Sequence, residues 1–324
     1  MLLVRMTAFA LTSAIAMAAC SRAAAPVASV NPRPAAGAVS GAPDVRPYVL
    51  ENTEVRELVA EELGRSYPVL VSLPESYGSN PTHRYPVVFV TDAPYSFPLV
   101  RSMAARMGNH GEGLEEFVLV GLAYAKGDTP AYSRRRDYTP STPADSDVTS
   151  DMPGRAPAFG QAEAYRRFLA GQVLPLIAAR YRVDMRRKVL AGHSYGALLG
   201  AHVLLTEPTM FEHYILSSPS LWFDGKVMLD REASYARSHE DMVAKVFLSV
   251  GAFETVVPGS NDSRYNRTND LVRDMQLFHA RLAGRHYPGL HIQSRVWADE
   301  DHLSGNPIAF ARGLAWALSP RASP

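Results

Sequence analysis

The sequence predicts a doubly wound α/β fold: a mostly parallel sheet with helices on both faces. Three observations carry this. Short, nearly uninterrupted apolar runs recur along the chain, segments of helical period separate them, and the alternation continues over the chain's last 270 or so residues. With 324 residues, 47% of them hydrophobic, the chain is long enough to cover such a sheet on both sides.

The apolar runs come first at "VLVSLPESY" (69–77) and "PVVFVTD" (86–92), then at "FVLVGLAY" (117–124) and "KVLAGHS" (188–194). They continue at "HYILSS" (213–218), "KVFLSVG" (245–251) and "HIQSRVW" (291–297). Each is of strand length, and 86–92 is nearly continuous in β-branched and aromatic residues. Helical period marks 161–181, where Tyr165, Phe168, Leu169, Val173, Leu176 and Ile177 share a face. Pro175 removes a donor there, so the helix should kink or restart. Further helices are expected at 196–205, 269–284 and 307–319. The stretch 125–160, rich in Pro, Ser, Asp and Gly, shows no period and is expected to be a long loop. Composition leaves open whether it covers a site or is a surface insertion.

The N-terminus has a different character. Residues 1–20 hold Arg5, an apolar run and then Met17-Ala18-Ala19-Cys20, the pattern of a bacterial export signal ending in a lipidated cysteine. Residues 21–47 are mainly Ala, Pro and Gly with little to bury, so they are expected to be a disordered tether. A single catalytic domain should then span 48–320, in the cell envelope and periplasmic, touching membrane only through lipid on Cys20. The balance of 33 basic and 32 acidic residues gives no general attraction to nucleic acid. With one cysteine there is no internal disulfide, and the ten histidines form no HExxH, so no metal or other cofactor is expected.

The segment "VLAGHSYGALLG" (189–200) carries the chemistry. Gly192-x-Ser194-x-Gly196 falls where a strand ends and a helix begins, the context of a nucleophile elbow and hence of an α/β-hydrolase fold. A serine needs a base, an acid to orient that base, and donors for the oxyanion. In this fold the order is serine, acid, histidine, each after a later strand. His302 in "VWADEDHLSG" follows the last expected strand and Glu254 in "FLSVGAFET" the one before it. Asp262, Asp270 and Asp274 stand downstream as alternative acids, and Asp299, Glu300 and Asp301 read as a solvated turn, one member of which could help hold the His302 loop. His193 should point away from the elbow tip as packing support, and His202 belongs to the core or a helix face. The oxyanion donors are expected to be the N–H of Tyr195 and one from the turn after 86–92. Pro94 has no N–H, which leaves Ala93 or Tyr95.

The segments "RRRDYTPS", "ARYRVDMRRKVLAGHSYGALLG", "FEHYILSSPSLWFD", "FLSVGAFET" and "DEDHLSG", in this order, resemble the Putative esterase family of α/β-hydrolases. The resemblance covers most of 48–318 and is strongest to bacterial periplasmic siderophore esterases, which open the serine ester linkages of enterobactin-like trilactones. It implies Ser194 as nucleophile and His302 as base. Members differ in whether a carboxylate completes the triad, and Glu254 matches the acid position of a mycolyl-transferring branch. The family's usual Asp-Gly after the third strand is Asp92-Ala93 here. The resemblance also places Trp222 and Phe223 near the pocket mouth, either as an aromatic wall or as packing. Arg134, Arg135 and Arg136 could meet an anionic substrate or form a solvated face. The expected activity is hydrolysis of a small-molecule ester. An acyltransferase with the same triad and a non-catalytic envelope binding protein are the alternatives.

Overall fold

The computed structural model describes residues 46–108, 112–144 and 146–320. The export signal with Cys20, and the tether up to residue 45, lie outside the described residues. The main compact unit begins at Leu50. No helix among the described residues is long and apolar enough to cross a membrane.

Eight strands form one sheet: β1 (Thr53–Ala60), β2 (Arg65–Ser72), β3 (Tyr85–Val90), β4 (Val118–Leu122), β5 (Val183–His193), β6 (His213–Ser217), β7 (Ala244–Gly251) and β8 (Leu290–Trp297). Their spatial order is β1-β2-β4-β3-β5-β6-β7-β8, with β1 and β2 antiparallel to their neighbours and every other pair parallel. The helices are α1 (Ala93–Gly108), α2 (Pro130–Tyr138), α3 (Ala162–Phe168), α4 (Leu174–Arg180), α5 (Tyr195–Thr206), α6 (Phe223–Ser238), α7 (Leu271–Gly284) and α8 (Gly305–Ala317).

Successive side chains of a strand face opposite sides of the sheet, so a fully covered strand must be apolar at every position. In β3, Val87 and Phe89 enter a core with residues of α3, α4, α5, α6 and α7. Val88 and Val90 enter a second core, with Phe97 and Val100 of α1 and Phe310 and Leu314 of α8. All four β3 residues are buried. This two-sided burial is why the run 86–92 reads as continuous hydrophobicity.

Two expectations need correction. The strand expected at 69–77 lies at 65–72, and Glu75–Tyr77 is a short 3-10 turn. Its hairpin partner β1 was not anticipated, because its outward face carries exposed Val55 and Val59 while Arg56 and Glu54 pair with each other. The supposed loop 125–160 contains helix α2, whose start has an ordinary cause. Thr129 Oγ1 accepts the Tyr132 N–H at 3.2 Å, and Pro130 occupies the first turn. The helix expected over 161–181 is interrupted by a π-helical turn at Leu169–Val173 and resumes at Leu174, with Pro175 in its first turn as its missing donor requires.

His202 shows how α5 is tied to its neighbours. Its Nδ1 lies 2.7 Å from an Arg231 guanidinium nitrogen, which can only donate, so Nδ1 accepts. The ring proton therefore sits on Nε2 and is donated to Glu163 at 3.1 Å. Burial, and then the Arg231 charge, hold the imidazole down at about 4. The unfolded chain takes up this proton near pH 6.5 and the folded one does not, so the stabilisation is complete above pH 6.5 and is lost as pH falls towards 4. Urea titrations should show wild type losing about 3 kcal/mol more than His202→Gln across that window.

Candidate active site

Ser194 stands at the β5–α5 junction with φ 58° and ψ −118°, a strained conformation for a residue with a side chain. Neighbouring elements hold it there. Its N–H donates to Ser217 O at 2.9 Å, and its carbonyl accepts from Leu198 at 2.9 Å. The flanking glycines are required by space. A Cβ on Gly192 would stand 2.4 Å from the Gly196 carbonyl, and one on Gly196 would stand 2.1 Å from Thr91 Oγ1 at the end of β3. Only without those side chains can the elbow pass this close to itself and to the β3–α1 turn.

Glu254 and His302 reach the same end of the sheet from the loops after β7 and β8. His302 Nδ1 lies 2.6 Å from Glu254 Oε2. A carboxylate accepts, so Nδ1 carries the proton and Nε2 keeps its lone pair. Glu254 is fully buried, and its other oxygen accepts from Ser218 Oγ at 2.6 Å and the Gly251 N–H at 2.7 Å. The alternative acids are engaged elsewhere. Asp262 pairs with Arg264, Asp274 with Lys226, and Asp270 caps α7 through the Arg273 N–H. The His302 loop is anchored on both sides: the Phe253 N–H reaches Glu300 O at 3.0 Å, and Asp301 accepts the N–H groups of Leu303 and Ser304, each at 2.9 Å. The hydrogen bond from the Ser304 N–H, first among several, lowers the Asp301 pKa.

Ser194, Tyr195, Ser220, Trp222, Arg134 and His302 line one cleft of about 240 Å³, together with residues 266–269 and Leu271. Among the described residues no hydrogen bond joins Ser194 to His302; Ser194 Oγ instead lies 3.4 Å from Ser220 Oγ. Tyr195 and Ala93 each open a helix, α5 and α1, where first-turn N–H groups have no helical acceptor. The Tyr95 N–H is engaged with Asp92 O at 3.2 Å, which takes Tyr95 out of the expected oxyanion set.

The three arginines of α2 diverge because a helix turns about 100° per residue. Arg134 lines the cleft, with its Nε 2.6 Å from the fully buried Asp92 carboxylate and its guanidinium 5.6 Å from the centre of the Tyr195 ring. Asp92 is also hydrogen-bonded by Tyr124 at 2.8 Å. Arg136, expected to bind substrate, is instead buried and paired with Asp128 at 2.7 Å and Asp137 at 2.8 Å. Arg135, expected likewise, is held by Asp151 and Thr149 O. Trp222 faces the cleft, whereas Phe223 is buried behind it, edge-on to Tyr195 at 5.9 Å. Sequence reading missed Ser218 and Ser220, whose hydroxyls have no spacing signature, and the 266–269 segment. Among the described residues no three His, Cys, Asp or Glu side chains converge as a metal site would.

This sheet, elbow and strand order make the fold that of an α/β-hydrolase. The model of the Putative esterase family matches residues 60–297, and the chain belongs to that family as an esterase. It is 29% identical over 279 residues to the ferri-bacillibactin esterase BesA of Bacillus subtilis, covering 84% of this chain and 92% of that protein. It is 27% identical over 284 residues to a siderophore triacetylfusarinine C esterase of Aspergillus fumigatus, covering 83% and 94%. Among solved structures, the siderophore hydrolase EstB of Aspergillus nidulans superposes with a TM-score of 0.70 at 24% identity, over 87% of this chain and 99% of that one.

Replacing Glu254 by Gln keeps the size of the side chain but removes the charge that fixes the His302 tautomer. It should lower kcat on the order of 10²- to 10⁴-fold with little change in KM, measured on a p-nitrophenyl ester.

Proposed function

We propose that the protein is a serine carboxylic-ester hydrolase that works through an acyl-enzyme and acts on siderophore ester linkages. The observation that carries the mechanism is the 2.6 Å Glu254–His302 contact beside a cleft that holds both His302 and Ser194. In this reading Ser194 Oγ turns from Ser220 towards His302 Nε2 as substrate enters, a tightening usual between resting and reacting states. The hydroxyl attacks the ester carbonyl as His302 takes its proton, and the Tyr195 and Ala93 N–H groups receive the oxyanion. Each such donor contributes about 3 kcal/mol to lowering the barrier. Collapse expels the alcohol, which takes the proton back from His302. Water then repeats the sequence on the acyl-enzyme, releasing acid and free serine.

Two features support the substrate class. Trp222 and Tyr195 offer aromatic surface to an aryl group, and Arg134 and Arg267 bring guanidinium groups to the same cleft, suited to an anionic arm such as a catecholate. The named activities of the relatives point the same way. The N-terminal pattern supports export with lipid on Cys20.

The test is an ester panel running from short p-nitrophenyl esters to catecholate trilactones, with and without iron. Wild type should release acid from a trilactone without any added acceptor alcohol, and Ser194→Ala should lose at least about 10³-fold. A fluorophosphonate should label wild type and not the variant. Turnover of simple esters with none of a trilactone would overturn the substrate assignment, and labelling that survives Ser194→Ala would overturn the mechanism.

A further inference from the structure

Under the His302 ring lies a second imidazole to which the reaction above gives no part. His193, the last residue of β5, is only 6% exposed. Its ring centre is 4.6 Å from that of His302, with the planes inclined at 43°. It has little freedom to move. Its Nδ1 is 3.1 Å from Ser217 Oγ, its carbonyl accepts from Arg134 at 3.5 Å, and the next N–H, that of Ser194, is bound to β6. His193 Nε2 is buried and makes no hydrogen bond of full geometry among the described residues, although the ring also interacts with the His302 backbone.

His302 is placed differently. It sits on a loop, gripped by Glu254 at one nitrogen, and a single hydrogen bond leaves the ring free to pivot about that contact. Contact with the tilted His193 ring limits that freedom. The ionisable groups facing His193 are His302, from the β8–α8 loop, and Arg134, from α2. Burial first, and then any charge His302 acquires and the charge of Arg134, hold His193 well below the ordinary histidine value, so it stays neutral when His302 becomes charged.

We propose that His193 is a positioning residue for His302: a fixed, uncharged floor that keeps the imidazole in the plane where Nδ1 meets Glu254 and Nε2 faces Ser194. The proposal rests on the site reading given under Proposed function. It predicts a division of labour: Glu254 sets which nitrogen carries the proton, and His193 sets where the other nitrogen points.

The test compares His193→Ala, which leaves a gap, with His193→Phe, which restores a flat neutral ring. For each, kcat and KM are measured on a p-nitrophenyl ester, and the rate of fluorophosphonate labelling of Ser194 is followed from pH 5 to 9. The alanine variant should lose on the order of 10- to 100-fold in kcat with KM within about twofold, the scale of a misplaced catalytic group. The acid limb of its labelling profile should move by about half a pH unit or more, because the surroundings of His302 change. The phenylalanine variant should recover most of the rate and the wild-type midpoint. Wild-type kcat and midpoint in His193→Ala would overturn the proposal, as would a folded His193→Phe as slow as the alanine variant. If the alanine variant fails to fold, the phenylalanine result decides. Absence of labelling in wild type would overturn the site reading and this proposal together, whereas labelling indifferent to residue 193 would overturn this proposal alone.

Discussion

A carboxylate removed from water costs several kcal/mol unless donors replace the lost solvent. Glu254 meets that requirement with three partners from three places: the Ser218 hydroxyl after β6, the Gly251 N–H at the end of β7, and the His302 imidazole after β8. The same three contacts draw the loops after consecutive parallel strands to one point. The demand for solvation thus organises the carboxyl rim of the sheet, and the alignment of His302 with Glu254 follows from it. Because Oε1 is occupied by Ser218 and Gly251, only Oε2 is left for the histidine, and this fixes the geometry of the pair.

The segment after β6 has a wider part than its composition suggests. Ser217 touches His193, Ser218 touches Glu254, and Ser220 touches Ser194, so three nearby hydroxyls contact three residues of the site. Ser218 adopts φ 46°, and after Trp222 and Phe223 come Asp224, Gly225 and Lys226, all in the left-handed region. Backbone held in sparsely populated conformations persists where the surroundings over-determine it. Here the surroundings are the elbow on one side and, on the other, the regular part of α6, which starts only after the kink at Asp224, Gly225 and Lys226.

Parts of this were legible in the sequence because they obey local rules. A parallel strand covered on both faces must read as an apolar run, and an elbow crossing another chain segment at close range must carry glycine, so β3, β5 and "GHSYG" announce themselves. Position after the final strands pointed to His302 and Glu254. What could not be read depends on direction. Arg134, Arg135 and Arg136 are chemically identical neighbours, and only the orientation of α2 decides that Arg134 faces the cleft while Arg136 is spent on Asp128 and Asp137. The choice between Ala93 and Tyr95 depended on which N–H the turn itself consumes. Strand β1 was hidden because its valines face outward.

The proposed nucleophile and its proposed base differ in how firmly the sheet holds them. Ser194 follows β5, which has strands on both sides and is buried at its C-terminal end, whereas His302 follows β8, an edge strand paired only with β7 and exposed at Arg295 and Val296. Margins of a sheet open at lower free energy than its centre. Warming should therefore detach His302 while Ser194 remains in place and, on the proposed roles of the two, inactivation should precede melting and be reversed on cooling.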